Sequence, residues 1–159
     1  MLQRTAAARL LAAMETDTPI DTKVARLVDR QVIRDRDQVQ AAVTALVMLG
    51  PPAVPAIIQR IDDRRNMTVH TATFENRSPD AFEAVAHLGV EQVIDCLNLV
   101  LSDITSESFG FVDVDFQPVS PSPRHRNDEN RKAMIVGWNG YLRRLRGIPH
   151  APGKSLPGR

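Results

Sequence analysis

A break between two helices is the feature that most constrains this chain, and it lies in LGPPAVPAIIQRIDD, residues 49–63. Gly50 can adopt the left-handed conformation that ends a helix, while Pro51 and Pro52 cannot extend a helix but can begin one. Apolar residues recur at helical spacing on both sides of the break: Val39, Val43, Leu46 and Val47 before it, and Val54, Ile57, Ile58 and Ile61 after it. We therefore predict a tight turn between two antiparallel helices.

Helical periodicity extends along most of the chain. Apolar stripes predict further helices near residues 5–15, 19–28, 78–88, 90–104 and 128–146. Thr18 is the predicted N-cap of the second of these, with Asp21 completing a capping box. Strand signals are weak, although Met67, Val69, Thr71 and Thr73 alternate with other residues in an extended pattern. Aromatic residues make up only 4% of the chain, which favours close packing of helices.

Two stretches of the chain match each other at an offset of 39 residues. VTALVMLGPPAVPAIIQRI, from Val43, aligns with FEAVAHLGVEQVIDCLNLV, from Phe82, so that Leu49 and Gly50 meet Leu88 and Gly89. A period near forty residues with two helices per unit is typical of helical repeat arrays. The segment LGPPAVPAIIQRIDD resembles the core of a HEAT repeat. This resemblance implies an all-α fold: a short HEAT-like α-solenoid of antiparallel helical hairpins with atypical capping helices.

The C-terminal half carries a second resemblance. DITSESFGFV, followed by RKAMIVGWNGYL, is similar to the ending of HEAT-like proteins of unknown function in some bacteria, although Ser106 stands where a glycine is expected and Asn139 where an arginine is expected. Phe109 and Phe111 can anchor the loop, and Trp138 can seal the end of the stack beside Gly137. We predict one domain over residues 1–146, with a long loop at 108–126 and a disordered tail at 147–159.

Catalytic and metal-binding patterns are weak in this sequence. Glu83 and His87 are spaced as neighbours on a helix, but no second histidine accompanies them at ligand spacing, so we interpret them as a surface pair. The single cysteine, Cys96, lies in an apolar run and is predicted to be a buried, inert thiol. We predict no enzymatic activity, no cofactor and no metal. An enzyme or small-ligand binder using residues 67–83 as a pocket wall is the weakest alternative.

Charge is distributed unevenly along the chain. Residues 1–119 carry a net charge of −6 and residues 120–159 a net charge of +7. A basic region can contact phosphates if its side chains share one face, so nucleic-acid binding is an alternative function. The residues concerned are Arg124, Arg126, Arg131, Lys132, Arg143, Arg144 and Arg146.

A protein–protein interaction module is the function that the sequence favours. In a solenoid, the polar sides of the second helices would form a concave surface that reads a protein partner. The partner-binding residues would be Gln59, Arg60, Asp63, Asp95, Asn98 and Ser102. Because there is one cysteine and no run of about 20 apolar residues, we expect a cytoplasmic location and no membrane partner.

Overall fold

The computed structural model describes residues 2–75, 84–110 and 128–147. Within these ranges the chain forms six α-helices and one antiparallel pair of strands. In chain order the elements are α1 (Leu2–Ala12), α2 (Ile20–Asp29), α3 (Arg36–Leu49), α4 (Val54–Ile58), β1 (Thr71–Glu75), β2 (Val85–Gly89), α5 (Val93–Thr105) and α6 (Asp128–Leu145). Short 3₁₀ turns over Arg30–Val32 and Pro51–Ala53 precede α3 and α4. The predicted tail, apart from its first residue, and most of the predicted 108–126 loop lie outside the described residues.

The predicted all-α solenoid is wrong, and β2 is the clearest reason. Val85–Gly89, predicted to end a helix, instead forms a strand that pairs with β1 from Thr71↔Gly89 to Glu75↔Val85. The partner strand is rich in the β-branched and aromatic residues that favour sheets. This long-range pairing overrides the weak helical periodicity of the second segment. The two aligned stretches therefore have different structures, and the offset of 39 residues does not mark a structural repeat.

The turn at residues 49–54 is present, but it forms a corner and not an antiparallel hairpin. The direction of the chain changes by 101° between Arg36–Leu49 and Pro51–Ile58. Gly50 has φ 66° and ψ −158°, a backbone region that is essentially restricted to glycine. The two prolines then begin the 3₁₀ turn, as their fixed φ allows. The corner directs α4 toward α2, α5 and α6, and not back along α3.

Two helix starts show how local chemistry sets boundaries. Asp35 caps α3, because its Oδ1 accepts hydrogen bonds from the amides of Asp37 and Gln38 at 3.0 Å each. The backbone hydrogen bond from Gln38 is the main reason why the pKa of the Asp35 carboxyl is lowered. A second hydrogen bond, from the Gln38 side chain, lowers it further. The predicted cap at Thr18 is wrong: Pro19 occupies the N-cap position of α2, with no side-chain capping bond.

The core lies where α3 packs against α1, α2 and α5, and where α4 and α5 meet α6. Trp138 of α6 is fully buried, with its ring edge-on to Phe109 at a centroid distance of 4.7 Å. A Cβ atom on Gly137 would lie 2.4 Å from the Phe109 ring, so only glycine permits this approach. Trp138 is buried as predicted, but the stack of hairpins that it was predicted to seal is not present. Phe111 lies outside the described residues.

Ser106 ends α5 in the left-handed conformation, with φ 60° and ψ 16°. Glycine is the residue that usually occupies this position after a helix. Ser106 is the position where the second resemblance implies a glycine, and its backbone conformation is indeed one that favours glycine.

No single helix among the described residues is long and apolar enough to cross a membrane. Arg36–Leu49 and Pro51–Ile58 reach the required length and apolarity only when taken together, with the 101° bend between them.

Candidate functional site

The hydrogen-bonding pattern of the hairpin determines which backbone groups face outward. The Val90 amide donates to the His70 carbonyl at 3.0 Å, so hydrogen-bonded pairs alternate along the ladder from this point. Within the two strands, Ala72 is therefore hydrogen-bonded to Leu88, and Phe74 is hydrogen-bonded to Ala86. The remaining pairs direct their N–H and C=O groups away from the partner strand, toward the two outer edges of the hairpin. These outward residues are Thr71, Thr73 and Glu75 on β1, and Val85, His87 and Gly89 on β2.

The outer edge of β1 is closed at its centre by a side chain of α3. The Gln40 amide donates from Nε2 to the Thr73 carbonyl and accepts from the Thr73 N–H at Oε1, both at 2.8 Å. Gln40 thus supplies the donor and the acceptor that a neighbouring strand would supply. Thr73 is buried, which makes this pairing necessary, because a buried backbone group without a partner is costly.

The outer edge of β2 is open as far as the described residues go, and we call it the open edge. Within the described ranges, no group bonds the outward N–H or C=O of Val85, His87 or Gly89. His87 is exposed, and the other two residues are half-buried. The His87 ring is held on one face of the hairpin, with Nδ1 3.0 Å from Thr73 Oγ1. The strand contains neither the lysine nor the proline that commonly protects an exposed edge.

A small pocket lies next to this hairpin, between α1, α3 and the end of α5. Its volume is about 90 Å³, well below the ~300 Å³ at which pockets for drug-sized ligands begin. Val85 of β2 contributes to the lining, so the pocket and the open edge share a residue. Among the described residues, the lining consists of Gln3, Arg4, Val43, Thr44, Val47, Met48, Thr73, Phe74, Glu75, Val85 and Asp103.

An exposed ion pair is part of the pocket wall. Arg4 Nε lies 2.6 Å from Glu75 Oε1, and Arg4 Nη2 donates to Glu75 Oε2 at 2.7 Å. The Arg4 side chain is 63% exposed and that of Glu75 is 46% exposed. Exposed pairs of this kind stabilise a fold by about 1 kcal/mol or less, so this pair can exchange with other ligands.

The six residues predicted to form a partner-binding surface do not lie on one exposed surface. Gln59 and Arg60 are exposed and Ser102 is half-buried. Asp63 is mostly buried and pairs with Arg65, at 2.6 Å between Oδ2 and Nη2. Burial acts to raise the pKa of Asp63, but the hydrogen bonds from Arg65 outweigh it and lower that pKa.

Asp95 and Asn98, predicted to point outward, are buried instead. Asp95 Oδ2 accepts from the amides of Glu91 and Gln92 at the start of α5, at 3.1 and 3.0 Å. Its two oxygens also accept from Arg131 at 3.0 Å each. Asn98 Oδ1 accepts from Trp138 Nε1 at 2.7 Å. The prediction fails because α5 is buried on nearly all sides, so its polar residues bind α6 and not solvent.

The predicted nucleic-acid residues are likewise divided. Arg131 is buried against Asp95, and its hydrogen bonds to that carboxylate raise the pKa of the guanidinium. Lys132, Arg143 and Arg146 are exposed, while Arg144 is exposed and stacks over Tyr141 at 5.6 Å. Arg124 and Arg126 lie outside the described residues. Nucleic-acid binding stays a prediction for the exposed residues and is wrong for Arg131.

Neither candidate for metal or thiol chemistry forms a site in the described part of the chain. His87 lies on a strand, so the predicted helical pairing with Glu83, itself outside the described residues, is wrong. No group of three or more His, Cys, Asp or Glu side chains in the described ranges could hold a metal ion. Cys96 is buried as predicted, and burial, with a smaller contribution from the Asp95 charge, raises the pKa of its thiol to about 12.

Sequence reasoning missed Gln40 and Val85 as site residues. It considered His87 only as a metal ligand, and Glu75 only as part of the alternative pocket wall over residues 67–83. The extended pattern that begins at Met67 was the available signal, because a single strand needs a second strand to be stable.

No protein-family model matches this chain, and no curated protein or solved structure is significantly similar to it. The HEAT resemblance therefore gains no support from relatives, and the strand edge beside the pocket is the feature on which a function can be argued.

Proposed function

We propose that this protein is a non-enzymatic protein-binding module that pairs an extended segment of a partner protein with the open edge of β2. The observation that carries the proposal is the difference between the two edges of the hairpin: Gln40 closes β1, whereas Val85, His87 and Gly89 have no backbone partner within the described ranges. Addition of a strand to an exposed edge is a common mode of peptide recognition, in which main-chain hydrogen bonds supply the affinity.

Rigidity of the hairpin supports this function. Phe74 and Ala72 are buried and anchor β1 to the core, and Val90, directly after β2, is fully buried. The ladder also continues beyond the strands, since the Met67 amide donates to the Glu91 carbonyl at 2.8 Å. An edge that is already in place does not have to be ordered on binding, so only the partner segment loses conformational entropy.

The proposed location is the cytoplasm. The single, deeply buried cysteine needs no oxidising compartment. Gln59 and Arg60 stay predicted contacts for other parts of a partner, because both are exposed.

Amide hydrogen exchange of the free protein gives the first test. We expect the Val85, His87 and Gly89 amides to exchange rapidly and the Ala86 and Leu88 amides slowly, because only the latter two bond β1. Protection of the His87 amide as strong as that of Leu88 would mean that another part of the chain already covers this edge, and would overturn the proposal.

Selection of binders from a phage-displayed library of random peptides gives the second test. His87→Pro removes an N–H that points away from β1, so it blocks docking while the hairpin pairing can persist. We expect the selected peptides to bind wild type and the matched control His87→Thr with similar affinity, and His87→Pro at least about tenfold more weakly.

Three results would contradict the proposal. These are failure to select any peptide, equal binding of selected peptides to His87→Pro, and a concentration-dependent dimer of the wild type that His87→Pro abolishes. The last result would assign the edge to a second copy of the chain.

A further inference from the structure

The outward side of α6 carries positive charges that have no acidic partner in the described part of the chain. Its exposed cations are Lys132, Arg143, Arg144 and Arg146. None of these four side chains has an ion pair or a hydrogen bond within the described ranges, whereas Arg64 and Arg65 each bind a carboxylate. The acidic residues of α6 lie in its first turn, and one of them, Asp128, is paired with Arg64. The remainder of the helix is therefore basic on its exposed side.

Short side chains occupy the middle of this outward side. At about 100° per residue, Lys132, Val136 and Arg143 fall on one face of the helix, and Ala133 and Gly140 lie beside Val136. We call this surface the outer face of α6. Val136, at its centre, is 72% exposed. Lys132 and Arg143 are separated by about 16 Å along the helix axis. The backbone of α6 is thus accessible between two cationic ends.

We propose that the outer face of α6 binds duplex DNA, with the helix crossing the major groove and its two cationic ends on the phosphates of the two strands. The major groove is about 12 Å wide and accepts an α-helix, whose diameter with side chains is about 10–12 Å. Because Lys132 and Arg143 lie about 16 Å apart, a helix that crosses the groove places one of them at each wall. This inference does not rest on the proposed function, since the open edge of β2 contributes no residue to the outer face of α6.

The side chains of α6 favour duplex DNA over other anionic partners. Single strands are bound by stacking on exposed aromatic rings, but Tyr141 is half-buried, edge-on to Trp138 and covered by Arg144. A helix that lies on a membrane needs a broad exposed apolar face, and Val136 is the only large apolar residue on this one. The major groove of an RNA duplex is too narrow and deep to admit the helix.

Phosphate contacts should dominate the binding. Asn139 is the side chain of this helix best suited to reading a base, but its Nδ2 already donates to the Ile135 carbonyl at 2.8 Å. Contacts to phosphates carry no sequence information, so we expect binding with little preference for base sequence and a strong dependence on salt.

A direct test measures the fluorescence anisotropy of a labelled DNA duplex of about 20 base pairs, titrated with the full-length protein at several salt concentrations. The test variant replaces three cations of α6 by glutamine: Lys132→Gln, Arg143→Gln and Arg146→Gln. We expect it to bind at least about tenfold more weakly at low salt, with a salt slope reduced by about 2.7, or about 0.9 for each lost phosphate contact. The matched control makes the same charge change at three exposed arginines elsewhere: Arg26→Gln, Arg34→Gln and Arg36→Gln. We expect the control to bind within about twofold of wild type.

A second pair of variants tests the approach of the helix itself. Val136→Glu places a negative charge between the two cationic ends and should weaken duplex binding at least about fivefold. Val136→Gln, of the same size without the charge, should weaken it less. Because Val136 is 72% exposed, neither substitution threatens folding.

Several outcomes would overturn the inference. These are failure of the wild type to bind the duplex at low salt, equal losses in the two triple variants, and equal or tighter binding of single-stranded DNA or of an RNA duplex of the same sequence. Binding to vesicles that contain phosphatidylserine, lost in the α6 triple variant and without any binding of DNA, would assign the outer face of α6 to a membrane surface instead.

Discussion

The contact between α5 and α6 and the edge of β2 use polar groups in opposite ways. At the α5–α6 contact, Asp95 accepts hydrogen bonds from two backbone amides and from Arg131, and Trp138 donates to Asn98, all in the interior. At β2, the outward backbone groups lie at the surface without a partner in the described part of the chain. Polar groups that are satisfied internally contribute to the fold and are not available to a ligand. Binding of a partner protein should therefore be sought at β2, although the charged residues of α5 and α6 were the more conspicuous candidates in the sequence.

Loss of Arg131 should have the largest effect on the free energy of unfolding. It tests whether the buried polar groups between α5 and α6 stabilise the fold. Arg131→Met leaves the buried Asp95 carboxylate without its cation, and removal of one member of a buried pair typically costs about 3–5 kcal/mol of unfolding free energy. Urea denaturation measures this change. Lys132→Met, at the exposed neighbouring position, is the matched control and should alter the unfolding free energy by less than about 0.5 kcal/mol. Similar effects of the two substitutions would show that Arg131 is not the internal partner of Asp95.

Two glycines of α6 should respond to alanine with opposite signs. Gly137→Ala places a Cβ 2.4 Å from Phe109, and overpacking of this kind costs about 1–3 kcal/mol of unfolding free energy. At Gly140 the nearest atom to a new Cβ is Arg144 Nη1, at 3.9 Å. Gly140→Ala should therefore stabilise the protein by about 0.5–1 kcal/mol through helix propensity alone. Thermal unfolding distinguishes the two, and stabilisation by both substitutions would contradict the close approach of α6 to Phe109.

The same substitution at two glutamines should sharpen the contrast between satisfied and unsatisfied polar groups. Gln40→Met removes both partners of the buried Thr73 backbone and should cost about 1–3 kcal/mol of unfolding free energy, with faster exchange of the Thr73 amide. Gln31 is fully buried, and neither its Oε1 nor its Nε2 has a partner within the described ranges. Gln31→Met should therefore leave stability unchanged or raise it. Destabilisation of equal size by both substitutions would mean that Gln31 has a partner after all.

The sequence predicted the features that depend on local chemistry. The break between α3 and α4 at Gly50 and the prolines, the approximate boundaries of α5 and α6, and the burial of Cys96 and Trp138 all follow from residues close together in the chain or from regular helical spacing. Features that depend on distant contacts were missed. β2 forms because β1 is available to pair with it, and its own five residues do not distinguish a strand from a helix.

Position in the fold also determined which side-chain predictions failed. The partner-binding prediction assumed that each helix buries one stripe and exposes the other. That holds for Gln59 and Arg60, just after α4, but not for Asp95 and Asn98, because α5 is buried on nearly every face. The run VIDCLNLVL is apolar on nearly every face, and this is the pattern of a helix that is surrounded by others.

Asp95 binds both the start of its own helix and an arginine 36 residues later, so one carboxylate joins the beginning of α5 to α6. Phe109, which follows α5, packs against Trp138 of the same α6. The carboxylate and the ring thus hold α6 at two separate points, and loss of either contact alone should leave the other in place.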